Sequence, residues 1–354
     1  MIVKNLTLKG FRNHDYLTYD FVPGMNVLTG PNGVGKTNVA EALYYLSVAR
    51  SFRLNDSEGL VQKGKDHGEI YAEIVEGSIT RKIRIVLTPE DHQIFINNKP
   101  AKVLELAKVV NVILFEPKDV LLFRDSPRAR RNFLDVSLSK KSFSYLECIT
   151  RYNKVLKERN ELLKQENVDR TLLDTTTEML VKLSSTIVTY RQMYVKDIND
   201  ILNKITRALT GEENKLEIIY KPFVENSVDF QSKALEAFKK AEEGDLRRKV
   251  TSIGVHREDF SVNLNGRDIG EYGSQGENRL AALALKLSPY FLIEDKDKRP
   301  IIVLDDVMSE LDQNNRLRLI IFLKKFEQVF ITATRLEVNG ANHYQIKKKK
   351  KEVF

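Results

Sequence analysis

Cysteine is nearly absent: Cys148 is the only one among 354 residues. A lone cysteine excludes an internal disulfide and any zinc site built from several cysteines, and it suits a reducing, cytoplasmic setting. Cys148 itself reads as a small buried hydrophobe. Long apolar runs are missing too. The longest, such as VVNVILF at 109–115, fall far short of the roughly 18 residues that a spanning helix needs, so no membrane segment is expected. The opening MIVKNLTLKGFRNHDYLTYDF alternates like strands and lacks the apolar core of a signal peptide. Neither sign of charge is scarce. There are 57 basic and 49 acidic residues for a net charge of +8, which permits a polyanionic partner without requiring one. With 42% hydrophobic and 30% charged residues, the composition is that of an ordinary globular protein, long enough for two domains or for one domain carrying a large insertion.

What the chain does have is MNVLTGPNGVGKTNVAEALYYL at 25–46: an apolar strand, a glycine-rich loop and an amphipathic helix. Gly30, Pro31, Asn32, Gly33, Val34, Gly35, Lys36 and Thr37 fit G-x-x-x-x-G-K-[ST], the phosphate-binding loop. Glycines let successive backbone N–H groups turn toward one anion. Lys36 is placed to reach the β- and γ-phosphates, Thr37 to hold Mg²⁺, and the helix start adds its positive dipole end. The expected ligand is ATP or GTP with Mg²⁺.

Such a loop needs a second strand ending in a carboxylate for the metal. IIVLDD at 301–306 supplies it, with the continuous apolar run of a central parallel strand buried on both faces. Asp305 is the expected metal ligand, and Asp306 stands where a base could orient the attacking water. The intervening chain is far longer than a doubly wound domain requires, so something is inserted. Residues 68–97 read as an antiparallel meander with turns at Glu76-Gly77 and near Asn97-Asn98. From about 126 the pattern is helical. Tyr145, Ile149, Tyr152, Leu156 and Leu163, then Leu180, Leu183, Ile187, Tyr190, Tyr194, Ile198, Ile201 and Ile205, mark a heptad-like stripe on two helices. That stripe is consistent with a short antiparallel pair or with a plain bundle core. Residues 215–224 look extended and 227–249 helical.

Ahead of the aspartate strand, Ser274-Gln275-Gly276-Glu277 opens a helix with Leu280, Leu283, Leu287 and Phe291 on its apolar face. Alone it is a capped helix start. Beside a phosphate loop and an Asp-Asp strand it is a second anion site, which one chain does not need for one nucleotide. The economical explanation is that Ser274, Gly276 and Glu277 contact a nucleotide held by another subunit.

This arrangement resembles the ABC-type ATPase heads, and the helical insertion resembles their SMC-like branch. The end-to-end resemblance is to the RecF family. It is carried by LKGFRN (8–13), GPNGVGKTNVAEAL (30–43), ARSFR (49–53), LFEPKDVLLFRDSPRARRNFLD (114–135), GVHREDF (254–260), YGSQGENRLAALALKL (272–287) and IVLDDVMSELD (302–312). Departures are small: Val255, Phe52 and Glu277-Asn278 stand where other residues are commoner in the family. The resemblance implies an α/β fold: an ABC/SMC-like P-loop head with an antiparallel β subdomain and an inserted helical lobe containing a short antiparallel helix pair. The expected division is 1–115, N-terminal head; 116–250, helical lobe; and 251–354, C-terminal head.

The resemblance also implies ATP-driven homodimerisation, with Arg12 and Asn13 approaching the nucleotide; His256 and Arg257 are candidates to line the same cleft, with a structural histidine as the equal alternative for His256. Asp306 in place of the usual glutamate, and Thr332 and Thr334 in place of a phosphate-sensing histidine, suggest slow hydrolysis used as a switch. The implied activity is a weak DNA-stimulated ATPase in recombinational gap repair, replication recovery and SOS induction. The implied partners are RecR, RecO and DNA, whether duplex, gapped or at a single/double-strand junction. Basic residues gather at Lys118, Arg124, Arg128, Arg130 and Arg131 and at Lys347 to Lys351, though composition alone makes these a solvated face. An ABC transporter subunit and a stand-alone SMC-like structural head are the alternative readings.

Overall fold

The structure is a computed structural model, and it describes residues 1–54 and 58–347. Four of the five terminal lysines, 348 to 351, therefore lie outside the described residues. In chain order the elements are β1 (Ile2–Phe11), β2 (His14–Asp20), β3 (Gly24–Thr29), α1 (Lys36–Val48), β4 (Gly68–Glu76), β5 (Ile79–Leu87), β6 (His92–Ile96), β7 (Lys99–Ala101), α2 (Val103–Val109) and β8 (Val112–Phe115). They continue with α3 (Pro127–Lys141), α4 (Phe143–Leu162), α5 (Arg170–Thr210), β9 (Leu216–Lys221), α6 (Phe230–Arg248), β10 (Asp259–Leu264), β11 (Arg267–Asp268), α7 (Ile269–Tyr272) and α8 (Gln275–Phe291). The last are β12 (Ile301–Asp305), α9 (Gln313–Leu323), β13 (Gln328–Ala333) and β14 (Asn342–Gln345).

The described residues form two compact units. Unit 1 comprises those of Met1–Asp119, Arg207–Glu212 and Lys286–Phe354; unit 2 comprises Val120–Thr206 and Glu213–Leu285. The first boundary falls close to the expected 115/116. The second falls at 285/286 rather than 250/251, because β10 pairs antiparallel with β9 along its whole length and so joins the helical lobe.

In unit 1 a parallel sheet runs β14-β3-β13-β12-β8. Every residue of β12, β13 and β8 is buried, as the unbroken apolar runs require of strands covered on both faces. Ile301, Val303 and Phe330 join one core with Val39, Leu43 and Leu46 of α1 and with Leu6, Ile70 and Ile85 of the second sheet. Their alternates Ile302, Leu304, Val329 and Ile331 are equally buried outside that cluster. The second sheet is antiparallel, β2-β1-β4-β5-β6-β7. Its β4 alternates buried and half-buried residues, and the chain turns at Gly77 and at Asn97-Asn98, all with positive φ. The meander stands where the sequence puts it.

In unit 2, α4 and α5 are antiparallel: Tyr145 meets Arg191, Cys148 meets Leu183 and Arg159 meets Thr177. The apolar stripe needs correction. Val155 and Leu162 are buried while Leu156 is only half-buried, and the buried line on α5 runs through Ser184, Arg191 and Leu202 rather than Leu183, Tyr190 and Ile201. Two arginines occupy core positions that apolar periodicity cannot register. Cys148 is half-buried, not buried, with its thiol directed at the Leu183 carbonyl at 3.7 Å and its pKa raised by burial.

Candidate nucleotide site

The site in unit 1 forms where three parallel strands end together. β13 lies between β3 and β12, and Thr332 is in register with Leu28 on one side and with Asp305 on the other. β3 passes directly into the loop Gly30–Gly35, whose glycines 30, 33 and 35 all take positive φ. Gly35 is irreplaceable on two counts. Its φ is +104°, and a Cβ there would lie 2.3 Å from His14 Nε2 and 2.5 Å from Asn13 Oδ1. His14 Nε2 meets the Gly35 carbonyl at 3.1 Å, and Asn13 Nδ2 donates to the Gly33 carbonyl at 3.3 Å, so the turn after β1 braces the loop from beneath. Burial holds the His14 imidazole below its ordinary pKa, which keeps it neutral against the loop.

Lys36 opens α1 and is 9% exposed. Its Nζ donates to the carbonyls of Gly30 at 2.8 Å and Pro31 at 2.9 Å, spanning the loop it belongs to. Thr37 Oγ1 donates to Asp305 Oδ1 at 3.1 Å, and Thr332 Oγ1 donates to the same oxygen at 2.6 Å. Residues from opposite ends of the chain thus converge on one buried carboxylate, whose pKa is raised by burial. That fits a bound cation. Among the described residues Asp305 has two hydroxyl neighbours and no basic side chain hydrogen-bonded to it, an environment in which a bound cation would balance its charge. Among the described residues no cluster of three or more His, Cys, Asp or Glu could hold a metal unaided, which leaves nucleotide oxygens and water to complete any coordination.

Asp306 is exposed, takes a left-handed backbone with φ 50°, and its N–H donates to Thr332 Oγ1 at 3.0 Å. Thr332 therefore connects the two aspartates, a role its place in the sequence did not reveal. Glu116 was also missed. It follows Phe115, which pairs with Leu304, so it projects at the strand end beside Asp305. Burial and nearby Asp119 push its carboxyl up to about 7. Asp119 in turn holds the half-buried Lys286 of α8 at 2.8 Å.

Arg12 is committed elsewhere than a ligand. Its Nε and Nη2 grip the fully buried Glu41 of α1 at 2.7 and 2.5 Å, and Nη1 donates to the Gly59 carbonyl. It still lines an open groove with Asn13, Asn38, Arg53, Lys63 and Lys65.

Unit 2 carries Ser274, Gly276 and Glu277. Ser274 and Glu277 form a capping box: Ser274 N and Oγ donate to Glu277 Oε2 at 2.8 and 2.7 Å, and Glu277 N donates back to Ser274 Oγ at 3.2 Å. Those bonds from Ser274 hold the Glu277 carboxyl below the usual range. Ser274 remains exposed. His256 is structural: Tyr152 Oη meets Nδ1 at 2.8 Å, Nε2 faces the Thr251 carbonyl at 3.1 Å, and burial lowers its pKa to about 4.

The basic cluster divides. Arg130 is paired with Asp259 at 2.7 Å, and Arg124 donates to backbone carbonyls. Arg131 reaches the Glu258 carbonyl at 2.6 Å, with burial and the neighbouring Arg191 and Arg257 depressing its pKa. Arg128 and Arg257 are exposed and have no ion pair among the described residues.

A family profile described as "RecF/RecN/SMC N terminal domain" matches residues 2–353. The DNA replication and repair protein RecF of Lachnoclostridium phytofermentans is 35% identical over 343 residues, covering 95% of this chain and 94% of its own. A solved structure titled as the recombination mediator protein RecF-ATP in the RecFOR pathway is 30% identical, with a TM-score of 0.90 over 98% of this chain and 97% of that one. An Smc head bound to the C-winged helix domain of ScpA is 17% identical with a TM-score of 0.57, covering 94% of this chain and 89% of that one, a likeness of fold alone. Among the described residues no helix is long and apolar enough to cross a membrane.

Proposed function

The chain belongs to the RecF family of DNA replication and repair proteins, and on that footing we propose that it is an ATP-switched clamp on DNA. What carries this reading is the convergence of Thr37, Asp305 and Thr332 below Lys36, in a chain similar from end to end to a relative titled with ATP. Lys36 neutralises the β- and γ-phosphates, and the loop N–H groups bind their oxygens. Thr37 and Asp305 hold Mg²⁺, which supplies charge neutralisation on the phosphates. Asp306 orients the attacking water. Its side chain is one methylene shorter than glutamate, which favours slow turnover and makes bound ATP the signal. The groove at Arg12 and Asn13 takes the nucleoside side of the ligand.

Ser274, Gly276 and Glu277 then meet the γ-phosphate held by a second copy, so that ATP joins two chains. The first N–H groups of α8 are suited to an anion, and the Ser274 hydroxyl, which donates to Glu277 here, would turn from that carboxylate to meet one. Arg128, Arg131 and Arg257 contact DNA phosphates without reading sequence. RecR and RecO are the expected partners, and gap repair, replication recovery and SOS induction the expected setting.

The test is retention on duplex and gapped DNA, with and without ATP and RecR, across a salt series. Stable retention that requires ATP and RecR supports the clamp, with log affinity falling by about 0.9 per phosphate contact for each tenfold rise in salt. Equal retention without nucleotide, or a flat salt response, contradicts it. A transporter subunit or a stand-alone structural head predicts no RecR dependence.

A further inference from the structure

Arg124 is exposed and lies between the 3₁₀ turn Pro117–Leu121 and α3, yet its side chain is fixed. Nε donates to the Gly270 carbonyl at 3.0 Å and Nη2 to the Gly273 carbonyl at 2.6 Å. The first carbonyl lies within the short α7, the second belongs to the residue that caps its C-terminal end, and Gly273 immediately precedes Ser274. The backbones themselves are in contact: a Cβ on Gly270 would lie 2.5 Å from the Phe123 carbonyl oxygen.

The loop that carries Arg124 is clamped in turn. Arg130 donates through Nη1 to the carbonyls of Leu122, Phe123 and Asp125 at 3.3, 3.4 and 2.7 Å. Its Nε and Nη2 grip Asp259, where β10 begins, at 2.7 and 2.9 Å. From the other side, Asn278 Nδ2 donates to the Gly273 and Ser274 carbonyls at 2.9 and 2.8 Å. The Ser274 turn is therefore held by donors on both flanks. One of them is a guanidinium sent from 146 to 149 positions away, although any nearby donor or water could satisfy carbonyls at a helix end.

We propose that Arg124 is a positioning residue for the ATP-dependent reaction. By spanning Gly270 and Gly273 it sets the height and direction at which Ser274 and the start of α8 are offered to the nucleotide of a second copy. The proposal rests on the shared-site reading above. The planar fork reaches carbonyls three residues apart through two separate nitrogens held at a fixed spacing. A lysine keeps the charge but acts from a single point, so Arg124→Lys is not conservative here. Arg130 and Asp259 serve the same end one step removed, by fixing the loop from which the fork reaches.

The experiment compares full-length wild type, Arg124→Lys and Arg124→Gln by three measurements. Binding of a fluorescent ATP analogue to the separated chain is expected within about twofold of wild type, since no phosphate-loop residue is touched. Amide hydrogen exchange across 269–277 is expected to rise while that of α1 stays unchanged. ATP-driven association, followed by sedimentation, is expected to weaken roughly ten- to hundredfold, the loss corresponding to charge-assisted hydrogen bonds. In a Ser274→Ala background the Arg124 changes should add little, because both act through one contact.

Unchanged exchange at 269–277 overturns the proposal. So does unchanged association where wild type associates, or additivity with Ser274→Ala. Global unfolding of Arg124→Lys overturns it too, because a fork that only orients one turn cannot hold up the fold. If wild type itself fails to associate with ATP, the shared-site reading falls, and the exchange measurement alone decides whether Arg124 orients the turn.

Discussion

Asp305 accepts hydrogen bonds from Thr37 and Thr332, while Asp306 turns its side chain to solvent from a left-handed backbone. On the proposed reading, the adjacent carboxylates have different work, one to hold a cation and the other to meet water. Asp306→Asn should leave ATP binding within about twofold and lower single-turnover hydrolysis by about a hundredfold or more, the usual scale for loss of a general base. It should also prolong the life of the ATP-joined dimer. Hydrolysis at the normal rate would remove Asp306 from the base role. The residues named in advance at this site are those whose type and spacing are dictated by phosphate chemistry: Gly30, Gly35, Lys36, Thr37 and Asp305. His14, Glu41 and Glu116 were not legible. Their places depend on strand register and on which turn lies beneath the loop, and no local pattern carries either.

At the scale of elements, the two long helices of unit 2 are built around buried arginines. Arg191 is 1% exposed and donates to Glu258 at 2.6 Å, to Asp135 at 2.7 Å and to the Val255 carbonyl at 2.9 Å. Glu258 also accepts from Tyr220, and through its other oxygen from Phe223 N at 3.1 Å. One network thus ties α5 to α3 and to the strands β9 and β10. Half-buried Asp135 and buried Glu258 keep Arg191 protonated despite its burial. Arg191→Met should cost about 3–5 kcal/mol, because Glu258 is left buried and uncompensated, and Arg191→Met with Glu258→Gln should recover part of that loss. Urea denaturation monitored on the helical signal checks both. A loss below about 1 kcal/mol for the single change would mean that water reaches the carboxylate. Helix existence, the antiparallel pairing and the meander were readable because their periodicities repeat over many residues. The exact buried face was not. Arg159 and Arg191 sit at core positions that a search for apolar residues passes over, and the assignment of β10 to the helical lobe follows from pairing across a long sequence gap.

At the scale of the whole molecule, the phosphate loop belongs to unit 1 and the Ser274 turn to unit 2 of each chain. The central claim is that the loop of one chain works with the turn of another. Lys36→Ala removes the amine aimed at the phosphates, and Ser274→Arg fills the space the turn leaves for them. Each change should abolish ATPase in its own homodimer. When the two inactive proteins are mixed, a heterodimer contains one site with both defects and one with neither. The decisive measurement is ATPase activity across a series of mixing ratios, with subunit exchange verified by cross-linking. The shared site predicts activity that peaks near equal amounts and approaches a quarter of the wild-type rate. No activity at any ratio, with exchange demonstrated, would contradict it.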